Sequence, residues 1–332
     1  MTPQRVLSGI QSTNESLHLG NYLGAVRQWI PLQDGYETFY CIADLHTLTV
    51  DTKPEILRKR ILAMAAQLLA LGVDPDRSTL FLQSGVAQHN QLGWVMECLA
   101  GFGEASRMTQ FKDKSSKSGS DRTVVGLFTY PMLQAADILL YQADLVPVGE
   151  DQRQHIEITR DLATRFNSRY GKVFNLPEPF ILKSGGKIFD LQDPLSKMSK
   201  SAESASGVVE IMDSPEVNLK KIKSATTDNG REVRFDENEK PGISNLLTIH
   251  SALTGLSIAD IEKDFEGKGY GDFKTAVADA YLSVFNPVRE KANSLLKDEA
   301  ALLQILRDGA AKARVEAEKT LDSVYSRMGL VR

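Results

Sequence analysis

The sequence is poor in the residues that would mark a secreted, zinc-binding or membrane protein. Only two of its 332 residues are cysteines, Cys41 and Cys98, too few for a disulfide framework or a cysteine-based zinc site. No run of apolar residues approaches the ~20 needed to cross a bilayer. The N-terminal residues lack the charged-then-apolar pattern of a signal peptide. We therefore expect a cytoplasmic protein without a membrane partner.

An excess of positive charge is missing as well. The net charge is −4, with 25% charged and 42% hydrophobic residues, a composition typical of an ordinary globular protein. Proteins that bind DNA through its phosphates are usually basic, so no DNA partner is expected. Contact with another nucleic acid would need a local patch, for which Lys220, Lys221 and Lys223 are weak candidates; a solvated helix face explains them equally simply.

What the sequence does contain, in its first half, is an alternation of strand and helix patterns. Apolar and β-branched segments predict strands at 5–10, 37–43, 79–83 and 145–148. Apolar residues spaced by three or four predict helices at 18–32, 55–71, 130–141 and 152–170. This alternation predicts an α/β fold, in which a Rossmann-like parallel sheet is covered on both faces by helices. Such sheets bind ligands at the carboxyl ends of their strands.

The second half of the chain is almost wholly helical. A Ser-rich stretch at 196–207 precedes this change, and a Lys-, Ser- and Gly-rich segment at 112–122 predicts an exposed loop. We predict a Rossmann-like domain over residues 1–200 and a C-terminal helical domain over residues 201–332, whose final helices can pack back on the first domain. The apolar helix at 91–102, with Trp94, serves either the core or an interface.

Two motifs have the chemistry of a phosphate site. Residues 9–21 join the first strand to the first helix, and a helix start presents free N–H groups to an anion, while Gly20 allows close approach to the backbone. Residues 197–201 read KMSKS, with two lysines and hydroxyls that suit a polyphosphate. Each motif alone is compatible with an ordinary turn or loop.

Two further segments add polar groups. Residues 149–155, GEDQRQH, form an acidic helix start, which the helix dipole favours. Tyr130, Gln134 and Asp137 share one helical face. Asp137 is followed by Ile138 and further apolar residues, and burial of a carboxylate there is costly unless a donor is supplied.

The HxGN sequence at 18–21 together with KMSKS at 197–201 resembles the paired signature of class I aminoacyl-tRNA synthetases. The GEDQRQH segment and KPGISNLL at 240–247 are similar to the bacterial tryptophanyl-tRNA synthetases, and the resemblance covers essentially the whole chain. It implies activation of L-tryptophan by ATP to tryptophanyl-adenylate and pyrophosphate, then acyl transfer to tRNA(Trp). It also implies Mg²⁺ as cofactor and a homodimer.

The resemblance further implies a set of site residues, with no metal ligands among them. The expected catalytic residues are Lys197, Lys200 and His18. The expected ATP-binding residues are Gln11, Ser12, Thr13, His18, Gly20, Asn21, Gly149, Glu150, Asp151, Ile188, Lys197, Met198, Ser199, Lys200 and Ser201. The expected tryptophan-binding residues are Leu7, Gln11, His46, Tyr130, Met132, Gln134, Asp137 and Gln152, with Asp137 accepting the indole N–H.

The chain departs from the family pattern at two places. The turn after Gln11 is one residue longer than usual, and Gln134 stands where many bacterial tryptophan enzymes have Met. Tyr130, Gln134 and Asp137 also resemble the tyrosine-binding helix of tyrosyl-tRNA synthetases. The HxGN form, the GEDQRQH segment and the expected lack of a further RNA-binding domain favour tryptophan. A nucleotidyltransferase with the same phosphate elements and a non-catalytic tRNA-binding paralogue are the alternatives from other classes.

Overall fold

A computed structural model describes residues 3–109, 124–181, 187–199 and 205–331 of the chain. The loop expected at 112–122 lies outside these described residues. Two members of the expected ATP site, Lys200 and Ser201, also lie outside them, as does part of the Ser-rich stretch.

Five parallel strands form one sheet within the described residues. They are β1 (Arg5–Ile10), β2 (Glu37–Ile42), β3 (Ser78–Leu82), β4 (Leu145–Pro147) and β5 (Glu178–Phe180), in the spatial order β3-β2-β1-β4-β5. The chain first builds outward from β1 to β3 and then crosses to β4 on the other side of β1. The direction of winding therefore reverses between β1 and β4, which makes their carboxyl ends the expected ligand crevice.

Helices cover both faces of this sheet, which confirms the predicted α/β fold. They are α1 (Leu19–Asn21), α2 (Arg27–Leu32), α3 (Asp44–Thr47), α4 (Pro54–Ala70), α5 (Gln88–Leu99), α6 (Phe102–Ser106), α7 (Val125–Leu140), α8 (Arg153–Tyr170), α9 (Pro215–Lys223), α10 (Pro241–Thr254), α11 (Ile258–Asp264), α12 (Tyr270–Leu295) and α13 (Glu299–Met328). A π-helical turn, Tyr22–Val26, joins α1 to α2. Within the described ranges, no helix is both long and apolar enough to cross a membrane.

Alternation along the strands divides the core into two apolar layers. On β2, Tyr40 and Ile42 face the helices α1, α2 and α4, while Phe39 and Cys41 face α5, α7 and α8. All four side chains are buried, because successive strand residues point to opposite faces and both faces are covered. The first layer continues without a break into α10–α12, so apolar packing joins the sheet to the helical region.

The last helix, α13, lies against the edge strand β3. Its first half packs in one apolar layer through Leu302 and Leu306, and its second half packs in the other through Ala313 and Leu321. At the crossing, a Cβ on Gly309 would lie 1.8 Å from the carbonyl oxygen of Leu80, so only glycine allows this approach. The helix thereby covers a sheet edge that would otherwise be open to pairing. The predicted boundary near residue 200 stays a prediction.

Three elements differ from the expectation. Helix α5 spans Gln88–Leu99 rather than 91–102. Helix α7 begins at Val125 rather than Tyr130, and it continues through Pro131 although proline cannot donate a hydrogen bond inside a helix. Strand β5 was not expected, because Pro179 lies within its three residues. Proline is tolerated there because β5 is an edge strand, paired on one side with β4 alone.

Candidate active site at the carboxyl edge of the sheet

The start of the first helix lies at the reversal point and is closed by its own motif. His18 is the N-cap of α1, where its Nδ1 accepts a hydrogen bond from the Asn21 N–H at 3.2 Å. The Asn21 side chain in turn accepts from the His18 N–H at 3.4 Å. A Cβ on Gly20 would lie 3.1 Å from the His18 ring and 3.7 Å from the Cβ of Met198. The HxGN and KMSKS motifs are therefore in contact.

The loop before this helix start is partly sealed from solvent. Ser12 is buried and lies 3.5 Å from the Thr47 hydroxyl, whereas Gln11 is exposed at the sheet edge. The same loop pairs with the segment that follows the Ser-rich stretch, where His18 and Glu210 form an antiparallel pair. The Leu19 N–H donates to the Val209 carbonyl, and the Leu17 carbonyl accepts from the Ile211 N–H. The longer turn is therefore followed by residues that are hydrogen-bonded to the second half of the chain.

The loop after β4 faces the helix start across the crevice. Gly149 begins a short 3₁₀ turn, and a Cβ there would lie 2.7 Å from the Asp151 carboxylate. The Asp151 carboxylate lies 3.4 Å from the Lys197 Nζ. Burial raises the pKa of Asp151, but Gln152 and Lys197 lower it more, so the net pKa lies below its usual value. An acid and a base from the expected ATP set thus meet at the edge of the sheet.

Polar contacts lead from this pair toward the expected tryptophan residues. Gln152 donates to Asp151 at 3.2 Å and accepts from the Gln134 amide at 3.5 Å. Tyr130, one turn before Gln134, lies 2.7 Å from Nε2 of His155. Burial raises the pKa of Tyr130 to about 12, so its hydroxyl stays protonated at neutral pH. The two expected residue sets therefore meet at Gln152, which contacts Asp151 on one side and Gln134 on the other.

Asp137 is the most heavily hydrogen-bonded carboxylate at this edge. It is 6% exposed and accepts from Nε2 of His46 at 2.8 Å and from Nδ1 of His89 at 2.6 Å. The Gln83 amide contacts both carboxylate oxygens, at 2.8 and 2.9 Å. Burial alone would raise the pKa of Asp137, but His89 and His46 bring it below its usual range. Three protein side chains therefore supply the donors that a buried carboxylate needs, and the role of Asp137 toward the indole N–H stays a prediction.

Three residues of this cluster were missed by sequence reasoning. Gln83 was placed at the correct sheet edge by its position after β3 but received no role. His89 lies in α5, and no pattern links it to α7. Tyr141 follows α7, and its hydroxyl lies 2.8 Å from Nε2 of His89. The His89 ring thus connects the Tyr141 hydroxyl to the Asp137 carboxylate. We call Asp137, His46, Gln83, His89 and Tyr141 the Asp137 cluster.

A cavity of about 360 Å³ opens beside this cluster, between α5 and α7. His46 and Tyr130 line its wall together with Trp94 and Leu133. His46 and Tyr130 are the two expected tryptophan contacts among its lining residues; Gln11, Gln134, Asp137 and Gln152 do not line it. Leu7 and Met132 are buried in the apolar layer beneath. Among the described residues, no group of three or more His, Cys, Asp or Glu side chains is placed to hold a metal ion.

Known proteins are similar to this chain along almost its whole length. The family model described as tRNA synthetases class I (W and Y) matches residues 1–286. Tryptophan–tRNA ligase 2 of Streptomyces avermitilis is 58% identical over 98% of this chain and 97% of its own. The tryptophanyl-tRNA synthetase of Mycoplasma pneumoniae superposes with a TM-score of 0.91 at 38% identity, over 99% of each chain. The Campylobacter jejuni enzyme, complexed with ADP and tryptophan, has a TM-score of 0.85 at 35% identity over 98% and 100%.

The chain belongs to the class I tRNA synthetase family that serves tryptophan and tyrosine. The three relatives named above match over 97% or more of their own length, and all three are tryptophan enzymes. The predicted resemblance to bacterial tryptophanyl-tRNA synthetases, drawn from the motifs HxGN, KMSKS, GEDQRQH and KPGISNLL, is thereby confirmed.

Proposed function

We propose that this chain joins L-tryptophan to tRNA(Trp) in two ATP-dependent steps, as a component of protein biosynthesis in the cytoplasm. The tryptophan carboxylate attacks the α-phosphorus of ATP, forming tryptophanyl-adenylate and releasing pyrophosphate. The terminal ribose hydroxyl of the tRNA then attacks the acyl carbon and releases AMP. The observation that carries the proposal is the meeting of Lys197, Asp151 and the His18 helix start at the point where the sheet reverses its winding.

On the nucleotide side, catalysis rests on positioning and charge. His18, Gly20 and Asn21 hold ATP at the helix start, with Gln11, Ser12 and Thr13 in the loop before it. Lys197 stabilises the negative charge that grows on the leaving pyrophosphate, and Lys200 shares this role. Lys197 is 56% exposed and its partner Asp151 is 54% exposed, so a phosphate can take the place of this carboxylate at little cost. Gly149, Glu150, Ile188, Met198, Ser199 and Ser201 complete the nucleotide site.

Asp151 would be the residue that holds the Mg²⁺ of a bound Mg–ATP complex. Magnesium prefers oxygen ligands and is usually held by substrate phosphates and waters with at most one or two carboxylates. Asp151, beside Lys197 at the edge of the sheet, is a carboxylate of the required kind. When bound, the ion neutralises phosphate charge during displacement.

On the amino-acid side, Asp137 is proposed to read the indole N–H. Its four acceptor positions are now filled by His46, Gln83 and His89, so binding exchanges one of these donors for the substrate. A site built around such a hydrogen bond rejects a side chain without the donor by roughly 10⁴–10⁵. Tyr130, Gln134 and Gln152 orient the ammonium and carboxylate groups, with Gln11 at the sheet edge and Leu7 and Met132 beneath.

The helical region is proposed to contact the tRNA, with the anticodon as its target. Lys220 and Lys223 are exposed at the end of α9, on a terminus where cations are favoured by the helix dipole. Lys221 does not belong to this patch, since its Nζ donates to the Val208 carbonyl and to Asp213, each at 2.7 Å. Two lysines of the predicted three therefore remain candidates for phosphate contact.

A homodimer is proposed from the apolar surface beside the cavity. Trp94, Phe102 and Val125 are 67%, 79% and 76% exposed, with Leu48 at 64%, on neighbouring parts of α5, α6, α7 and the turn after α3. A patch of this kind marks an interaction site, and a second copy would cover the same patch on both subunits. Trp94→Glu is expected to shift the sedimentation coefficient from a dimer to a monomer; an unchanged dimer would place the interface elsewhere.

The decisive experiment is ATP–pyrophosphate exchange with tryptophan and with tyrosine in parallel. Exchange with tryptophan alone, followed by charging of tRNA(Trp), supports the proposal. Exchange with tyrosine alone would overturn the specificity while keeping the reaction. Binding of tRNA without exchange would identify a non-catalytic paralogue, and adenylate transfer to another acceptor would identify a nucleotidyltransferase.

A further inference from the structure

Lys197 is carried by a small hairpin whose outer edge needs hydrogen-bond partners. Phe189 and Lys197 form an antiparallel pair. The hydrogen bonds that flank them run from Asp190 N–H to the Ser196 carbonyl at 2.8 Å and from Met198 N–H to the Ile188 carbonyl at 2.9 Å. Residues paired in this way do not bond to each other, so the N–H and C=O of Phe189 point away from Lys197. Partly buried backbone groups of this kind require other partners.

The side chain of Asn245 supplies both partners. Its Oδ1 accepts a hydrogen bond from the Phe189 N–H at 3.0 Å, and its Nδ2 donates to the Phe189 carbonyl at 2.9 Å. Asn245 is 3% exposed and lies in α10, far from Phe189 in sequence. One side-chain amide thus replaces the third strand that would otherwise complete the hairpin.

The KPGISN sequence at 240–245 brings this amide into place. A Cβ on Gly242 would lie 2.0 Å from the carbonyl oxygen of Thr226, so glycine allows α10 to approach that segment closely. The Thr226 N–H donates to the Leu191 carbonyl at 2.7 Å, in the turn of the same hairpin. The start of α10 therefore holds the hairpin at two places.

The far side of the hairpin reaches the nucleotide residues. Met198 is 1% exposed and packs beside Gly20, while the Lys197 side chain extends to Asp151. The backbone at Lys197 is thus fixed between α10 on one side and the first helix on the other. A displacement of the Phe189 peptide would move the opposing Lys197 backbone, because the two residues face each other in the hairpin.

We propose that Asn245 is a positioning residue for pyrophosphate formation, acting through Phe189 on the placement of Lys197. The inference rests on the proposed function, in which Lys197 contacts the phosphates of ATP. It gives the KPGISN sequence, singled out by resemblance alone, a definite part in the reaction. Asn245 itself does not touch the reacting atoms.

A double-mutant cycle on ATP–pyrophosphate exchange tests this role. Lys197→Ala is expected to lower kcat by about 10²-fold through loss of charge stabilisation. Asn245→Ala is expected to lower kcat by roughly 10-fold or more through misplacement of Lys197, with the KM for tryptophan unchanged. The double variant is expected to match Lys197→Ala within about twofold, because without the Lys197 amine its placement no longer matters.

Two further variants complete the design. Asn245→Asp still accepts from the Phe189 N–H but turns a carboxylate oxygen toward the Phe189 carbonyl, and it should lose as much activity as alanine; it carries the cycle if the alanine variant does not fold. Thr248→Ala lies one turn further along α10, where the Thr248 hydroxyl donates to the Ser244 carbonyl of the same helix at 2.9 Å. It should retain wild-type exchange.

The outcomes separate the inference from the function beneath it. If the loss of kcat in the double variant equals the product of the two single losses, the role of Asn245 is overturned. A simple loss of folded enzyme in Asn245→Ala would give this result. If the Asn245→Asp variant exchanges pyrophosphate as fast as the wild-type chain, the role of Asn245 is likewise overturned. Absence of exchange in the wild-type chain overturns the proposed function, and this inference with it.

Discussion

The two sides of the crevice are built differently. The Asp137 cluster is buried, and each carboxylate oxygen already has two donors from the protein. The Lys197–Asp151 pair is more than half exposed, and its two charged atoms are 3.4 Å apart. On the proposed amino-acid side, several buried protein contacts hold the carboxylate, and the substrate must replace one of them. The proposed nucleotide side holds one exposed contact that a phosphate can replace more easily.

This difference predicts which residues contribute to the free energy of unfolding and which contribute to the reaction alone. A buried carboxylate with several donors contributes to folding in addition to binding a ligand. Its removal leaves the partner side chains buried without an acceptor. An exposed ion pair contributes little to folding, since water and salt screen it. Variants on the two sides should therefore separate the effects on activity from the effects on stability.

The largest effect on activity is expected at the exposed side. Lys197→Ala should lower ATP–pyrophosphate exchange by about 10²–10³-fold, because one donor to the developing charge is lost. Its free energy of unfolding in urea should stay within about 0.5 kcal/mol of wild type. Lys172→Ala, an exposed lysine just beyond the opposite end of α8, is the control and should leave exchange unchanged. A marked loss of stability in Lys197→Ala would contradict the comparison.

The buried side should respond in both measurements. Asp137→Ala is expected to lower the free energy of unfolding by about 3 kcal/mol, because it leaves several buried donors without their acceptor. It should also raise the KM for tryptophan while leaving the KM for ATP nearly unchanged. Urea denaturation and exchange kinetics measure these changes. If Asp137→Ala proves as stable as Lys197→Ala, the cluster is not preassembled.

The pH dependence sharpens the same comparison. The folded-state pKa of Asp137 lies below its unfolded value, so its contribution is complete at neutral pH. Below about pH 4, near the unfolded carboxyl pKa of ~3.9, the unfolded chain takes up the proton first and the contribution falls. The stability difference between wild type and Asp137→Asn should therefore shrink as the pH falls through this range.

Other carboxylates do not obscure this measurement. The hydrogen bond from Arg165 lowers the pKa of Glu104 to about 2, for example, but Glu104 titrates alike in both chains and cancels in the difference. A stability difference that stays constant between pH 5 and 3 would show that Asp137 gains nothing from its charge.

The smallest effect is expected behind the cluster. Tyr141→Phe removes one buried hydrogen bond to His89 and should lower the free energy of unfolding by about 1 kcal/mol. It should also raise the KM for tryptophan, by less than Asp137→Ala does. Tyr40→Phe is the matched control, since it removes a buried hydroxyl bond to the Trp29 carbonyl in the other apolar layer. If both variants raise the KM for tryptophan equally, the hydrogen bond from Tyr141 to His89 has no specific effect on tryptophan binding.

The sequence by itself determined the class of fold, the family and the motifs at the sheet edge. Strand and helix periodicities survive in one dimension because each element is local. HxGN, GEDQRQH and KMSKS could be read for the same reason, since each is a short run of adjacent residues. The structure brings Lys197, Asp151 and the His18 helix start together at one edge of the sheet. The roles of these residues in the reaction stay predictions.

Only the tertiary structure decided what surrounds Asp137 and what holds Lys197. His89 reaches Asp137 because α5 packs against α7, and Asn245 reaches Phe189 because Gly242 lets α10 approach closely. Neither contact leaves a pattern in the sequence, because it joins single side chains across long separations. A buried charge or peptide group must find partners, but packing alone selects which residues provide them.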